Sequence, residues 1–364
     1  MSDEPARSAA SSRNARPLVQ VDRLSKLYPL RRGPFSKNAI VHAVDNASFY
    51  IRRGETLGLV GESGCGKTTL GRAVLRLVEP TAGRVYFDGK DITQMPDKEL
   101  RPLRRRMQIV FQDPYSSLNP HMTVREIVGE GISVFRLART RSEADVMIAD
   151  VLTKVGLRPD GMGRYPHEFS GGQRQRIGIA RALAVKPDFI VCDEPISALD
   201  VSVQAQILNL LEELQEELSV SLLFISHDLR AVAYLSHRVA VMYLGRIVEM
   251  GPTAEVREKR YHSYTRALWS AMPGSPSADL EVVTTSSDAG SKSEPAGQRS
   301  KPLPMVGKML PNEPAQTTEP PRGCVFHPRC PKAEKGKCDV EVPALQEIVS
   351  GSHHRVACFF PEKD

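Results

Sequence analysis

Eight residues in the first fifth of the chain, GESGCGKT at positions 61–68, have the composition and spacing of a phosphate-binding loop. Lys67 is placed to reach the β- and γ-phosphates of a nucleotide, and Thr68 to put its hydroxyl on Mg²⁺. Glycines let the main chain curl so that its N–H groups point at phosphate oxygens. The glycines in question are Gly61, Gly64 and Gly66. The loop therefore predicts a nucleoside triphosphate and Mg²⁺ as ligands.

Two carboxylates end a later apolar run, FIVCDE at positions 189–194. Ligands of open α/β sheets bind at the carboxyl ends of the strands, where this pair would lie. Asp193 is suited to bind Mg²⁺, and Glu194 is suited to act as a general base that polarises the attacking water. With the phosphate loop, the pair predicts hydrolysis of the terminal phosphate.

A third polar stretch, FSGGQRQR at positions 169–176, precedes the helical pattern IGIARALA. The N–H groups at a helix N-terminus form a ready anion site. The chain thus carries two phosphate-facing elements, but Lys67 is the one lysine in a phosphate-loop motif.

Four cysteines crowd the end of the chain with the spacing C-x5-C-x7-C-x19-C: Cys324, Cys330, Cys338 and Cys358. Disulfides are unlikely in a cytosolic chain, which makes metal binding the favoured interpretation. Four thiolates suit Zn²⁺ or an iron–sulfur cluster, but the spacing matches neither a zinc ribbon nor a common ferredoxin. Zinc, a cluster, and free or buried thiols all remain open. A metal or cluster bound by the four cysteines would stabilise a short tail, which favours a structural role for it. The nearby histidines are expected on the surface: His327, His353 and His354.

The elements that must position these residues alternate between strands and helices. ETLGLV (55–60), FIVCDE and SLLFIS (221–226) contain continuous apolar runs, as strands of a buried parallel sheet do. Residues 142–156 predict a helix with Ser142 as its cap and Gly156 at its end. Residues 201–218 predict a second amphipathic helix. This alternation predicts a doubly wound α/β core.

Length and composition suit a protein of about two domains. The chain has 364 residues, 41% hydrophobic and 25% charged, and its net charge of +6 argues for neither nucleic acid nor a lipid surface as partner. No run approaches the ~20 apolar residues of a membrane span, and no secretory signal is recognisable. The expected division is a disordered tail (1–17), a nucleotide-binding domain (18–270), a linker (271–320) and a Cys-rich region (321–364).

The order of the motifs resembles that of ATP-binding cassette (ABC) ATPases: GESGCGKT, QIVFQDP, FSGGQRQR, FIVCDE, SALD and SHD. The resemblance implies a parallel sheet with flanking helices, an antiparallel β subdomain and a helical subdomain. It also implies that two cassettes dock head to tail, the signature FSGGQ of one covering the γ-phosphate held by the other. The two phosphate-facing elements would then serve two different nucleotides.

The same resemblance assigns roles to individual residues. Gln112 would sense the γ-phosphate, magnesium and the attacking water, and it heads a segment that touches membrane subunits. His227 would orient that water, Ser63 would face the γ-phosphate, and Asp200 would tie the cassettes together, although a helix N-cap is an equally physical interpretation. Tyr28 would stack on adenine, with ordinary packing as its alternative.

The expected site residues form four sets. The catalytic set is Glu194, His227 and Gln112. The nucleotide set is Tyr28, Gly61, Glu62, Ser63, Gly64, Cys65, Gly66, Lys67, Thr68 and Thr69. The magnesium set is Thr68, Gln112 and Asp193. The signature acting on the partner's nucleotide is Ser170, Gly171, Gly172 and Gln173.

The tail sequence PPRGCVFHPRCP resembles the C-terminal region of oligopeptide/dipeptide ABC importer ATPase subunits, and GESGCGKTTLGRAVL resembles the second such subunit. The resemblance implies a [4Fe–4S] cluster on the four tail cysteines. It further implies a second, different ATPase subunit, two membrane permeases and an extracytoplasmic solute-binding protein. The chain would lie at the cytoplasmic face of the inner membrane, peripheral to it, and power import of di- and oligopeptides.

Other functions of ABC ATPases are alternatives to peptide import. Members of the family also carry nickel or other small solutes. A soluble ABC ATPase acting on ribosomes or DNA is disfavoured, because about 100 residues separate Lys67 from Ser170 and leave no room for a long coiled-coil insertion. A regulatory cassette without turnover is disfavoured by the presence of Glu194 and His227.

Overall fold

A computed structural model describes residues 16–30, 39–270, 320–349 and 351–362. Most of the expected N-terminal tail (1–15) and nearly all of the expected linker (271–319) lie outside these residues. The first sheet is antiparallel, in the order β2-β1-β4-β5. Its strands are β1 (Val19–Leu30), β2 (Ala39–Ile51), β4 (Ala82–Phe87) and β5 (Lys90–Asp91).

The second sheet carries the site. Its strands are β3 (Thr56–Val60), β6 (Met107–Val110), β7 (Phe189–Asp193), β8 (Ser221–Ile225), β9 (Arg238–Tyr243), β10 (Arg246–Pro252), β11 (Gln346–Glu347) and β12 (Arg355–Val356). The order is β11-β12-β10-β9-β3-β8-β7-β6. The neighbours from β9 to β6 are parallel, and β10 joins β9 antiparallel. Every residue of β3, β7 and β8 is buried, as their apolar runs predict.

Helices flank this sheet and build a separate helical layer. They are α1 (Lys67–Val74), α2 (Asp97–Arg104), α3 (Val124–Val134), α4 (Arg141–Lys154), α5 (Gly171–Leu183), α6 (Val201–Leu218), α7 (Leu229–Leu235), α8 (Thr253–Lys259) and α9 (Ser263–Ser270). Helices α3, α4 and α5 pack through Val128, Ile148 and Ile177. The predicted α/β core with an antiparallel β subdomain and a helical subdomain is confirmed.

Helix boundaries confirm two predictions and correct one. Helix α6 spans the predicted residues, and Gly156, with a φ of +72°, directly follows the C-cap residue of α4, Val155. Helix α4 begins earlier than expected, because Thr140 rather than Ser142 is its cap and accepts a hydrogen bond from the Glu143 N–H at 3.1 Å. Thr140 and Glu143 have the same capping spacing as Ser142 and Asp145, from which the sequence predicts the cap.

The Cys-rich region extends the main sheet. Strand β12 pairs with β10, and the Ala357 N–H donates to the Val248 carbonyl at 2.8 Å. His354, expected on the surface, is instead 1% exposed and lies 2.8 Å from the buried carboxylate of Glu249. The imidazole lies where the Cys-rich region contacts β10. Nothing in the sequence around His354 indicates that it is buried. In the parts of the chain described above, no helix combines the length and apolarity needed to cross a bilayer.

Candidate nucleotide site

The phosphate loop joins the end of β3 to the start of α1, and two of its glycines are held against main-chain carbonyls. A Cβ on Gly61 would lie 2.1 Å from the Met242 oxygen, and one on Gly66 would lie 1.9 Å from the Ala43 oxygen. Gly66 also has a φ of +106°. A side chain at either position would displace the strand beside it, so the loop conformation requires glycine.

Lys67 places its ammonium group inside this loop. Its Nζ donates to the carbonyls of Gly61 at 2.8 Å and Glu62 at 3.0 Å, and the residue is 4% exposed. A buried cation bound only by neutral carbonyls attracts an anion strongly, because little water screens its charge. The loop therefore has the electrostatic character of a phosphate site.

Thr68 and Asp193 form a second pair beside the loop. The Thr68 hydroxyl donates to Asp193 Oδ1 at 2.8 Å, while the buried Asp193 Oδ2 has no hydrogen-bond partner and lies 3.9 Å from Arg72. Burial raises the pKa of Asp193, and the Thr68 hydrogen bond and the Arg72 charge oppose that rise. An unpartnered carboxylate oxygen next to a hydroxyl is a donor set that fits Mg²⁺.

Glu194 lies at the centre of a polar cluster in the cleft. Its backbone has a φ of +47°, an uncommon conformation for a residue with a side chain, and its N–H is held by the Ile225 carbonyl at 2.9 Å. Gln112 Nε2 donates to Glu194 Oε2 at 3.2 Å, and His227 Nδ1 lies 3.2 Å from the same oxygen. The structure thus brings together the three predicted catalytic side chains.

A cleft of about 550 Å³ borders most of these groups, but in the described part of the chain Asp193, Gly61, Glu62 and Cys65 are not on its wall. The predicted residues on its wall are Tyr28, Ser63, Gly64, Gly66, Lys67, Thr68, Thr69, Gln112, Glu194 and His227. The ring of Tyr28 is partly exposed, with the Lys26 ammonium 4.8 Å from its centre. Val41 and Ala43 also line the cleft and were missed, because nothing in their strand pattern sets them apart.

The signature residues lie apart from this cleft. Ser170 caps α5: its hydroxyl accepts from the Gln173 N–H at 3.3 Å, and its own N–H donates to the Gln173 side chain at 3.0 Å. A Cβ on Gly172 would lie 2.4 Å from Val203, so α5 packs closely on α6. Residues 170–173 do not border the cleft in the described part of the chain. Within one chain, the phosphate loop and residues 170–173 therefore do not meet at this cleft.

Asp200 is the N-cap of α6. Its Oδ1 accepts from the Val203 N–H at 3.0 Å and from the Ser202 hydroxyl at 2.6 Å. In a single chain, Asp200 is therefore a helix N-cap. Its expected role between two cassettes stays a prediction.

The four tail cysteines all border one small cavity of about 10 Å³. Burial raises the pKa of Cys324, and it raises the pKa of Cys358 to about 11. Within the residues described, no group of three or more His, Cys, Asp and Glu side chains is arranged to hold a metal ion. The four thiols thus lie around one cavity, but their spacing in this structure does not form a metal site. Cys65 and Cys192 are buried elsewhere, and burial raises the pKa of Cys192 to about 12.

One contact at the loop was not foreseen. Arg329, from the Cys-rich region, donates to both carboxylate oxygens of Glu62 at 3.1 and 3.2 Å. The two residues lie far apart in the sequence, and nothing in the motif HPRC indicates that its arginine reaches the phosphate loop.

Comparison with known proteins agrees with this fold and site. A family model described as "ABC transporter" matches residues 44–197, and one described as "Oligopeptide/dipeptide transporter, C-terminal region" matches residues 248–297 and 299–338. The probable peptide ABC transporter ATP-binding protein y4tS of Sinorhizobium fredii is 48% identical over 94% of this chain and 89% of that protein. The oligopeptide transport ATP-binding protein AppF of Bacillus subtilis is 44% identical over 95% of this chain and 98% of that protein.

Solved structures also resemble the fold of this chain. An ATP-binding cassette determined as a dimer in a post-hydrolysis state with ADP and Pi is 30% identical, with a TM-score of 0.57, covering 65% of this chain and 98% of that one. The protein cbiO1 from Clostridium perfringens, part of an ABC transporter complex, is 28% identical with a TM-score of 0.57, covering 67% and 92%.

Fold and site together define an ABC ATPase, an enzyme that binds and hydrolyses ATP. Given the relatives aligned over nearly its whole length, the chain belongs to the oligopeptide/dipeptide family of ABC transporter ATP-binding proteins.

The loop geometry predicts a strong effect of a single methyl group. Gly66→Ala would force the new Cβ onto the Ala43 carbonyl and is expected to weaken ATP binding by at least about 100-fold, since the whole loop must shift. Titration with a fluorescent ATP analogue measures this. Gly178→Ala on α5, where a Cβ meets nothing within 4 Å, is the control and should bind as wild type. Equal binding by the Gly66 variant would contradict the requirement for glycine.

Proposed function

We propose that this chain powers the import of dipeptides and oligopeptides through an ABC transporter. The observation that carries the proposal is the combination, in one chain, of an intact nucleotide cleft and a match to the oligopeptide/dipeptide C-terminal region. Two relatives aligned over nearly the whole chain are named as peptide and oligopeptide transport proteins. Nickel or another small solute is the alternative cargo.

The cleft residues suit in-line hydrolysis of ATP. Lys67 and the loop N–H groups would hold the β- and γ-phosphates. Thr68 and Asp193, with Gln112, would hold Mg²⁺, which supplies positive charge to the β- and γ-oxygens when bound. Water attacks the γ-phosphorus, the bond to the β–γ bridging oxygen breaks, and ADP and phosphate leave. Glu194 accepts the proton of the attacking water, while His227 and Gln112 orient that water.

A second cassette completes the site in this proposal. The position of residues 170–173 on a surface away from the cleft supports their action on the partner's nucleotide. Ser170 and the glycines after it would offer N–H groups and a helix dipole to that γ-phosphate, and Asp200 would contact the partner cassette. Loss of the γ-phosphate removes the charge that holds the pair closed. We expect the partner to be a different ATPase subunit.

A groove next to Gln112 supports contact with membrane subunits. It measures about 290 Å³ and lies between β6 and the helical layer. Apolar Phe111 and Val134 line it, with Arg181 held by a hydrogen bond to the Ser117 carbonyl at 2.7 Å. Because Phe111 on the wall of this groove directly precedes Gln112 in the chain, movement there would reach the catalytic cluster. We place the chain at the cytoplasmic face of the inner membrane, peripheral to it, under two permeases served by a solute-binding protein.

The Cys-rich region is proposed to carry a structural [4Fe–4S] cluster. Support comes from four thiols that border one cavity and from the match to the family's C-terminal region. Cys324, Cys330, Cys338 and Cys358 would be the ligands, and the cluster would supply a covalent staple to a region too short for a large core of its own. The division into a tail (1–17), a cassette (18–270), a linker (271–320) and a Cys-rich region (321–364) belongs to this proposal.

Replacing Glu194 tests the chemistry. Glu194→Gln is expected to lower the rate of ATP hydrolysis by at least about 100-fold, because the amide cannot accept the proton, while ATP binding persists. Phosphate release and analogue binding are measured on the same preparation. Glu216→Gln, at an exposed site on α6, is the matched control. If the Glu194 variant hydrolyses ATP as fast as wild type, the general-base assignment is wrong.

Transport tests the cargo. Vesicles that contain the permeases, both ATPase subunits and the solute-binding protein are expected to take up labelled di- or oligopeptide with ATP, and to fail with the Glu194 variant. Uptake of nickel but not peptide would support the alternative cargo. Hydrolysis without uptake of either, or copurification with ribosomes or DNA instead of permeases, would overturn the transport proposal.

Metal analysis tests the cluster. Chain purified without oxygen is expected to contain about four iron atoms and four sulfides, and Cys330→Ser to lose most of both. Cys192→Ala, which removes a buried thiol from β7, should retain them. Zinc in place of iron would support the zinc alternative, and a metal-free wild type would contradict both.

A further inference from the structure

The Cys-rich region lies against the phosphate loop through the segment between its first two cysteines. Val325 and Phe326 are buried there. The Phe326 ring packs against Tyr243 and Tyr264, with centroid distances of 5.3 and 5.5 Å. The Tyr264 hydroxyl accepts a hydrogen bond from the main-chain N–H of Glu62 at 2.9 Å. The aromatic cluster thus connects the segment directly to the second residue of the loop.

Arg329 makes the closest link. Its guanidinium donates to Glu62 Oε2 at 3.1 Å, to Glu62 Oε1 at 3.2 Å and to the Tyr243 hydroxyl at 3.1 Å. The Arg329 side chain is 8% exposed and that of Glu62 is 25% exposed. A bidentate arginine–carboxylate pair of this kind fixes geometry as well as charge. Removing one partner of a mostly buried pair leaves the other charge uncompensated.

Glu62 matters because of what else it touches. Its carbonyl accepts from Lys67 Nζ at 3.0 Å and from the Cys65 N–H at 3.3 Å. A negative side chain in a loop built for phosphates repels the nucleotide unless a cation neutralises it. Arg329 is that cation: it pairs with the Glu62 side chain, next to the Glu62 carbonyl that binds Lys67. The arginine itself does not border the cleft within the described residues.

We propose that Arg329 is a positioning residue for the phosphate loop, by which the Cys-rich region sets the affinity of the cassette for ATP. The arginine acts through Glu62 rather than on the reacting atoms. Its removal changes binding more than the chemical step. Because binding couplings are reciprocal, ATP in turn holds residues 324–330 more firmly on the cassette.

The first test is Arg329→Gln in the full chain. The dissociation constant for a fluorescent ATP analogue is expected to rise roughly tenfold, as is typical of a coupling between neighbouring sites. In the assembled transporter, the KM for ATP should rise similarly while kcat changes less than about twofold. A fall in kcat with an unchanged KM would overturn the proposal.

A double variant separates the charge from the general packing of the region. Glu62→Gln and Arg329→Gln, alone and combined, form a double-mutant cycle: once Glu62→Gln has removed the carboxylate, adding Arg329→Gln is expected to raise the ATP dissociation constant by less than about twofold further. Arg329→Lys keeps the charge but loses the bidentate geometry, so its affinity should fall between wild type and Arg329→Gln. If Arg329→Gln weakens ATP binding as much in the Glu62→Gln background as in the wild-type chain, an action through Glu62 is contradicted.

Arg266→Gln is the matched control. Arg266 on α9 also pairs with a glutamate of the Cys-rich region, Glu362 at 3.1 Å, but it does not contact the phosphate loop. Its loss is expected to leave the ATP dissociation constant unchanged. If it weakens ATP binding as much as Arg329→Gln does, the effect comes from looser docking of the whole region and the proposal fails.

Hydrogen exchange tests the reciprocal effect without any measurement of activity. In the wild-type chain, ATP is expected to slow exchange of the main-chain amides at residues 324–330. In Arg329→Gln, the same concentration of bound ATP should leave their exchange unchanged. Equal protection in the two chains would show that the loop and the Cys-rich region are not coupled through this arginine.

Discussion

The rest of the site depends on the hydrogen bonds that hold the buried ammonium group of Lys67. Its hydrogen bonds go to the main-chain carbonyls of Gly61 and Glu62, so the positive charge is held in place without being cancelled. Burying a charge is costly unless polar groups solvate it, and here the curled loop provides them. That curl requires glycine where the chain presses on the Ala43 and Met242 carbonyls. The sheet, the loop and the first helix thus together hold the Lys67 ammonium group in a position where it can bind phosphate.

The carboxyl ends of β6, β7 and β8 supply the remaining groups from three separate parts of the chain. Gln112, Glu194 and His227 meet at one carboxylate oxygen because those strands are neighbours or near neighbours in a parallel sheet. The strained backbone of Glu194 is tolerated because the Ile225 carbonyl holds its N–H. The side chains of Ser170 and Gln173, in contrast, cap α5, and residues 170–173 do not border the cleft in the described part of the chain.

The Cys-rich region is joined to the cassette by both main-chain and charged contacts. Strand β12 continues the sheet beyond β10, His354 meets the buried Glu249, and Arg329 reaches the loop. The region therefore touches both the edge of the sheet and the element that binds nucleotide.

The sequence by itself determined the strands β3, β7 and β8, the helix α6 and the composition of the phosphate loop. These features depend on local patterns: apolar runs, helical spacing, and glycines beside a lysine. The local pattern did not identify Thr140 as the helix cap, because Thr140 and Ser142 both stand three residues before an acidic residue and either could begin the helix. Only the tertiary structure decided that His354 is buried and that Arg329 meets Glu62, 267 residues away in sequence. Contacts of that kind depend on how distant segments pack, and a single sequence carries no periodicity or spacing that records them.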